Sequence, residues 1–200
     1  RGAILRGIFL TGQADIDWFF NGAGQLLPDH WSALAGIAPR DRHAALAAWY
    51  FDTVAGEDDE AGIEAVRRWM DWEEALSSPG SPPSPAASGS RDAASAQLAK
   101  YRLQAHYLRH ECFIGEARAL EFARTMQGLP TAILHGRLDL ICRPSNAWAV
   151  HQALPGSQLH FVDGAGHSPF DPTMAHALVA AGDHFLAHGN FVGWPANDVA

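Results

Sequence analysis

The sequence predicts an α/β fold in which parallel sheet strands with flanking helices are interrupted by a long all-helical insertion. Three observations carry this reading. After Pro130 short apolar runs alternate with amphipathic ones, "TAILHG", "RPSNAWAVHQAL", "QLHFVDG" and "TMAHALVAAGDHFLAHG", which reads as strand, helix, strand, helix. Residues 3–10, "AILRGIFL", form a short apolar strand run closed by Thr11-Gly12. Between the two, from residue 14 to 128, almost every segment has apolar residues at helical spacing.

Taken in order, the opening strand is followed by helical stretches in "DIDWFF", "RDRHAALAAWYFDTVAG", "DEAGIEAVRRWMDWEEAL", "AQLAKYRLQAHYLRHECF" and "EARALEFARTM". Asp41 and Asp58 are placed to cap two of them. Residues 77–95, "SSPGSPPSPAASGSRDAAS", are rich in Pro, Ser, Gly and Ala and read as a flexible surface loop. Strand 131–136 comes next, then helix 143–154 with Pro144 near its start, strand 158–164, and helix 173–189 ending at Gly189. Short links between these units require right-handed parallel crossovers. The expected division is a core strand at 1–12, a helical cap at 13–128, a core segment at 129–189 and a loose tail at 190–200. The chain runs from Arg1 straight into an apolar strand, so it is expected to begin inside a larger protein.

Composition removes several function classes. The 200 residues carry 14 Lys and Arg against 22 Asp and Glu, a net charge of −8. Without basic clusters, neither a nucleic acid nor an anionic membrane is an expected partner. No apolar run has the length of a membrane span, and no signal peptide is expected. Two cysteines are too few for a disulfide framework, so a cytoplasmic location is expected.

Ligands of open parallel sheets bind beyond the carboxyl ends of the strands. Two motifs occupy that edge. Strand 131–136 runs into "GRLDLICRP", with Asp139, and strand 158–164 into "GAGHS", with His167. They are one helix and one strand apart, so neighbouring parallel strands bring both side chains to one edge. An Asp accepting the imidazole Nδ1–H fixes the tautomer and stabilises the imidazolium as it forms. Taken singly, each is also an ordinary loop residue. Their order and matching positions favour an acid–base pair. The glycines before His167 let the loop fold back so that Nε2 faces a nucleophile.

The stretches "LRGIFL", "DWFF", "WMDWEEA", "GRLDLICRP" and "NAWAVHQALPGSQLHFVDGAGHS", with the closing helix, resemble the C-terminal part of the proline iminopeptidases, serine peptidases of the α/β-hydrolase fold. The resemblance covers most of the chain outside 77–95 and the tail. "GxGHS" alone would indicate only an α/β-hydrolase. It implies the C-terminal part of an α/β-hydrolase fold with an inserted helical cap, and a Ser-His-Asp triad with Asp139 orienting His167 as general base. No G-x-S-x-G occurs in the chain. Ser88 and Ser90 lie in the Pro/Ser-rich loop, and Ser168 adjoins the histidine. The nucleophile is therefore expected upstream, and the chain alone is expected to be inactive.

An aminopeptidase must hold a free α-ammonium, which calls for a carboxylate in a partly dry pocket. The resemblance assigns this task to Glu73 of the W-x-x-W-E pattern formed with Trp69 and Trp72. A second family carboxylate, in an E-x-H-Y pattern, is here Gln104, followed by His106 and Tyr107. Gln accepts a hydrogen bond but brings no charge, which puts strict proline preference in question. The resemblance places Phe9, Ile141 and Cys142 in an apolar proline-ring pocket with Phe19 nearby, and Arg6 near the site. Cys142 reads either as a reactive thiol or, more commonly for its type, as a small buried hydrophobe. His106 and His110 have a chelating spacing, but "HYLRH" lacks the Glu of a zincin, so no metal and no cofactor are expected. The implied substrate is a peptide with a free N-terminal proline. An esterase or amidase with the same triad, or a non-catalytic remnant, remain as alternatives.

Overall fold

The computed structural model describes residues 1–77, 79 and 90–195. In chain order its regular elements are β1 (Ala3–Arg6), α1 (Gln13–Phe20), α2 (Pro28–Ala35), α3 (Leu46–Ala55), α4 (Asp59–Ser77), α5 (Arg91–Arg109), α6 (Gly115–Thr125), β2 (Thr131–Gly136), α7 (Pro144–Ala153), β3 (Gln158–Val162) and α8 (Pro172–His188). They fall into two compact units. Among the described residues no helix is long and apolar enough to cross a membrane.

The first unit comprises Arg1–Leu10, Ser77–Pro79 and the chain from Glu116 on. Its three strands pair in parallel in the order β1-β2-β3. Ala3 stands opposite Thr131, and Gly136 opposite Val162. The central strand β2 is buried along its whole length, as an apolar strand covered on both faces must be. Its side chains alternate. Ala132 and Leu134 join Val162, Met174, Ala181, Phe191 and Trp194 on one face, while Ile133 joins Leu10, Ala123, Ala147 and Val150 on the other. Pro144 opens α7. Asp171 caps α8 by accepting from the N–H of Thr173 at 2.9 Å and Met174 at 3.3 Å, and Gly189, at φ 69°, ends it.

The second unit comprises Thr11–Leu76 and the described part of the stretch from Gly80 to Gly115. Its core is aromatic. Trp69 on α4 is fully buried, with ring centroids of Phe20 at 5.0 Å, Tyr101 at 5.2 Å, Phe51 at 5.9 Å and Tyr50 at 6.0 Å. The Trp72 indole N–H donates to the Phe19 carbonyl at 2.8 Å.

The structure departs from the sequence reading at five places. β1 stops at Arg6, because Gly7 turns the chain at φ 60°. α6 packs its Ala119, Leu120 and Ala123 on the sheet unit rather than with the helical insertion. The segment read as a loose tail contributes Phe191 and Trp194, 3% and 6% exposed, to the sheet core; residues 196–200 lie outside the described residues. Asp41 lies inside a 3₁₀ turn and caps nothing, whereas Asp58 accepts from the N–H groups of Glu60 and Ala61, each at 3.1 Å, at the start of α4. Of the loop read at 77–95, residues 78 and 80–89 lie outside the described residues, and α5 already begins at Arg91 behind a Ser90 cap.

Candidate active site

Asp139 follows β2 by one turn and is 1% exposed. Its Oδ1 accepts from the backbone N–H of Ile141 at 3.0 Å and of Cys142 at 2.8 Å, so the side chain closes its own turn. That leaves Oδ2 for His167, whose Nδ1 stands 3.0 Å away, with Oδ1 at 3.2 Å.

His167 is held from several sides by residues of the same unit. The loop after β2 and the loop after β3 are stitched together: Arg137 N–H donates to Val162 C=O at 3.0 Å and Leu138 N–H to Ala165 C=O at 2.9 Å. This contact needs glycine at the end of β2, since a Cβ on Gly136 would sit 2.2 Å from the Gly166 oxygen. An Arg6 guanidinium N–H donates to the His167 carbonyl. His167 N–H donates to Ser77 C=O at 3.3 Å. The imidazole lies over Gly7, with Cε1 3.4 Å from the place a Cβ would take. The side chain of His167 is 25% exposed. With Nδ1–H committed to a carboxylate that cannot donate, Nε2 keeps a lone pair and is the ring's basic nitrogen.

The sequence reading missed His135. This side chain is fully buried on β2; its Nε2 is 2.8 Å from the Cys142 carbonyl and 3.6 Å from Asp139 Oδ2. Burial holds its pKa below the usual imidazole value and outweighs the neighbouring Asp139 charge. A neutral ring therefore donates Nε2–H to Cys142 C=O, pinning the turn that aims Asp139. The signal was a histidine in a buried strand four residues before the Asp, in "HGRLD".

Cys142 is 5% exposed and not in a disulfide. Its Sγ, an Asp139 carboxylate oxygen and a His167 ring nitrogen all lie within 4.8 Å of one another, a donor set able to hold a metal ion. Ile141 and Phe9 are half-buried in the same unit. Glu73, Gln104 and Phe19 belong to the helical unit. There Glu73 Oε2 accepts from the Tyr101 hydroxyl at 2.5 Å and Oε1 from the Gln104 amide at 3.1 Å. Burial, reinforced by the Glu73 charge, pushes the Tyr101 phenol far up, so it stays a donor. Both donors are neutral, and among the described residues no ion pair engages Glu73. His106 and Tyr107 are exposed, and the rings of His106 and His110 lie 4.8 Å apart.

No protein-family model matches the chain. Whole-protein comparison does. The chain is 34% identical over 186 residues to the proline iminopeptidase of Xylella fastidiosa, an alignment covering 92% of this chain and 58% of that protein. It is a homologue of the proline iminopeptidases. A probable proline iminopeptidase of Leptolyngbya boryana is 34% identical over 189 residues, covering 93% of this chain and 58% of its own length. The chain thus spans about three-fifths of the length of these proline iminopeptidases, 58% in both cases. Among solved structures, an esterase from Rhodococcus sp. ECU1013 superposes with a TM-score of 0.41 at 23% identity, over 68% of this chain and 45% of that one.

Proposed function

We propose that the chain supplies the acid–base and amine-recognition parts of a serine aminopeptidase of the α/β-hydrolase fold that releases N-terminal proline from peptides. The observation that carries the reading is the Asp139–His167 pair, joined at 3.0 Å across adjoining parallel strand ends. Homology to proline iminopeptidases supports the substrate class.

In this reading a serine from outside these 200 residues attacks the prolyl carbonyl. His167 Nε2 takes its proton, Asp139 stabilises the imidazolium through Nδ1–H, and the same proton passes to the leaving amine. Arg6, Gly7 and the Gly136 contact fix the ring so that little reorganisation accompanies the transfer. The prolinium nitrogen carries two N–H donors. Glu73 accepts one with full charge and the Gln104 carbonyl the other without it. Phe9, Ile141 and Cys142, all in the sheet unit, supply apolar surface for the ring. The described residues of the helical unit, from Thr11–Leu76 and the stretch up to Gly115, carry the amine-recognition side chains. Two cysteines outside any disulfide support a cytoplasmic location.

The test is hydrolysis of a proline arylamide by the protein translated with its serine segment. His167→Ala is expected to abolish turnover, and an unchanged rate would overturn the assignment. Gln104 favours a second reading, an esterase or amidase with the same triad. An N-blocked arylamide separates the two, because only the aminopeptidase needs the free amine.

A further inference from the structure

The proposed reaction leaves the Cys142 thiol without a chemical task, yet it stands in the same buried turn as Asp139 and beside His167. One donor atom from each of the three lies within 4.8 Å of the others. Their types differ usefully: a thiol, a carboxylate and an imidazole. Soft sulfur with imidazole selects zinc-like ions over Mg²⁺ and Ca²⁺, which prefer all-oxygen shells. Three protein ligands with a fourth position open to water is a familiar zinc stoichiometry.

We propose that Asp139, Cys142 and His167 form a reversible inhibitory site for Zn²⁺. Binding exchanges a defined set of protons. The ion enters between Oδ2 and Nδ1 and binds Sγ, so the thiol loses its proton to solvent. The imidazole Nδ1 proton is displaced and the neutral ring carries its one proton on Nε2. One proton per ion is released. The thiolate and carboxylate balance the ion's two charges, so the site passes from one negative charge to none where Asp139 and Cys142 are 1% and 5% exposed. His167, 25% exposed, is the ligand through which solvent reaches the three donors. Oδ1 keeps its two backbone N–H donors throughout and holds the carboxylate in place.

The inhibitory consequence rests on the peptidase reading. An imidazole bound through Nδ1 and protonated on Nε2 is the opposite tautomer from the one that accepts a serine proton. The binding itself does not rest on that reading, so the two are tested apart.

For binding, Zn²⁺ and Co²⁺ are titrated into the 200-residue chain and its variants, followed by calorimetry in buffers of different ionisation enthalpy and by absorption. Expected are one proton released per ion and a thiolate-to-cobalt charge-transfer band that survives Cys112→Ser. Cys142→Ser is expected to abolish the band and weaken Zn²⁺ binding by more than about tenfold. No band in Cys112→Ser, where Cys142 is the remaining thiol, overturns the site and does not require the second variant to fold. So does Zn²⁺ affinity unchanged by Cys142→Ser, which would place the ion on the His106–His110 or His184–His188 pairs. In the protein carrying its serine, Zn²⁺ is expected to inhibit and a chelator to restore the rate; binding at Cys142 without inhibition overturns the inhibitory role alone.

Discussion

His167 Nδ1 lies 3.0 Å from Asp139 Oδ2 although 28 residues separate them along the chain. The carboxylate is already committed to two backbone N–H groups through its other oxygen, which keeps it from rotating away. Asp139→Asn keeps the shape but offers an N–H where the ring needs an acceptor. In the protein carrying its serine, kcat for a proline arylamide is expected to fall by roughly 10⁴-fold. A fall of less than about tenfold would remove Asp139 from the proposed mechanism.

Two glycine substitutions are expected to move stability in opposite directions. Gly136→Ala drives a methyl toward the Gly166 oxygen, 2.2 Å from the ideal Cβ, and neither backbone can yield without parting the two loops. A loss of about 1–3 kcal/mol is expected. Gly182 lies within α8 with nothing within 4 Å of its Cβ position, so Gly182→Ala is expected to gain about 0.5–1 kcal/mol. Urea midpoints of the two variants check both signs.

Stability is expected to drop as pH is lowered below 6.5, the ordinary histidine value. Burial lowers the pKa of both His135 and His160. Between the folded values and 6.5 the unfolded chain binds protons that the native chain does not, so the stability is full above that window and is lost on descending through it. His160→Phe removes one of the two titrations without touching the Asp139 turn. Its urea midpoint, followed from about pH 7.5 to about pH 5.5, is expected to fall less steeply than that of the parent.

Gln104→Glu replaces the amide that donates to Glu73 Oε1 at 3.1 Å with a second carboxylate. The expected result is a loss of about 1–2 kcal/mol at neutral pH, relieved on acidification as the pair takes up a proton. Under the proposed function, with the serine supplied, the added charge is expected to lower KM for proline arylamide with kcat little changed. A KM that stays put or rises would argue against Glu73 and Gln104 as the amine site.

The strand–helix alternation from 131 to 189 was legible because each run is short, strongly periodic and closed by Pro or Gly. Asp139 and His167 were legible because parallel topology dictates where the ends of β2 and β3 meet. Other features needed three dimensions. α6 reads like the helices before it, and only the apolar patch made by Leu10, Ile133 and Val150 draws it to the sheet. Phe191 and Trp194 follow a helix-ending glycine, which marks an end of helix and not an end of core. Arg6 was placed near the site by resemblance, but its bond to the His167 carbonyl depends on the turn at Gly7. His135 looked like one more residue of a buried strand, and its contact with the Cys142 carbonyl comes from the turn curling back over it.

The contacts described for the imidazole, from Asp139, Arg6, Gly7 and the backbone of Ser77, come from the sheet unit alone. Glu73, Tyr101 and Gln104 form a separate set within the helical unit. Under the proposed roles, proton transfer and amine recognition therefore rest on separate sets of contacts and can diverge independently. Exchange of helical segments between relatives is a route to new selectivity that leaves the histidine's alignment as it was.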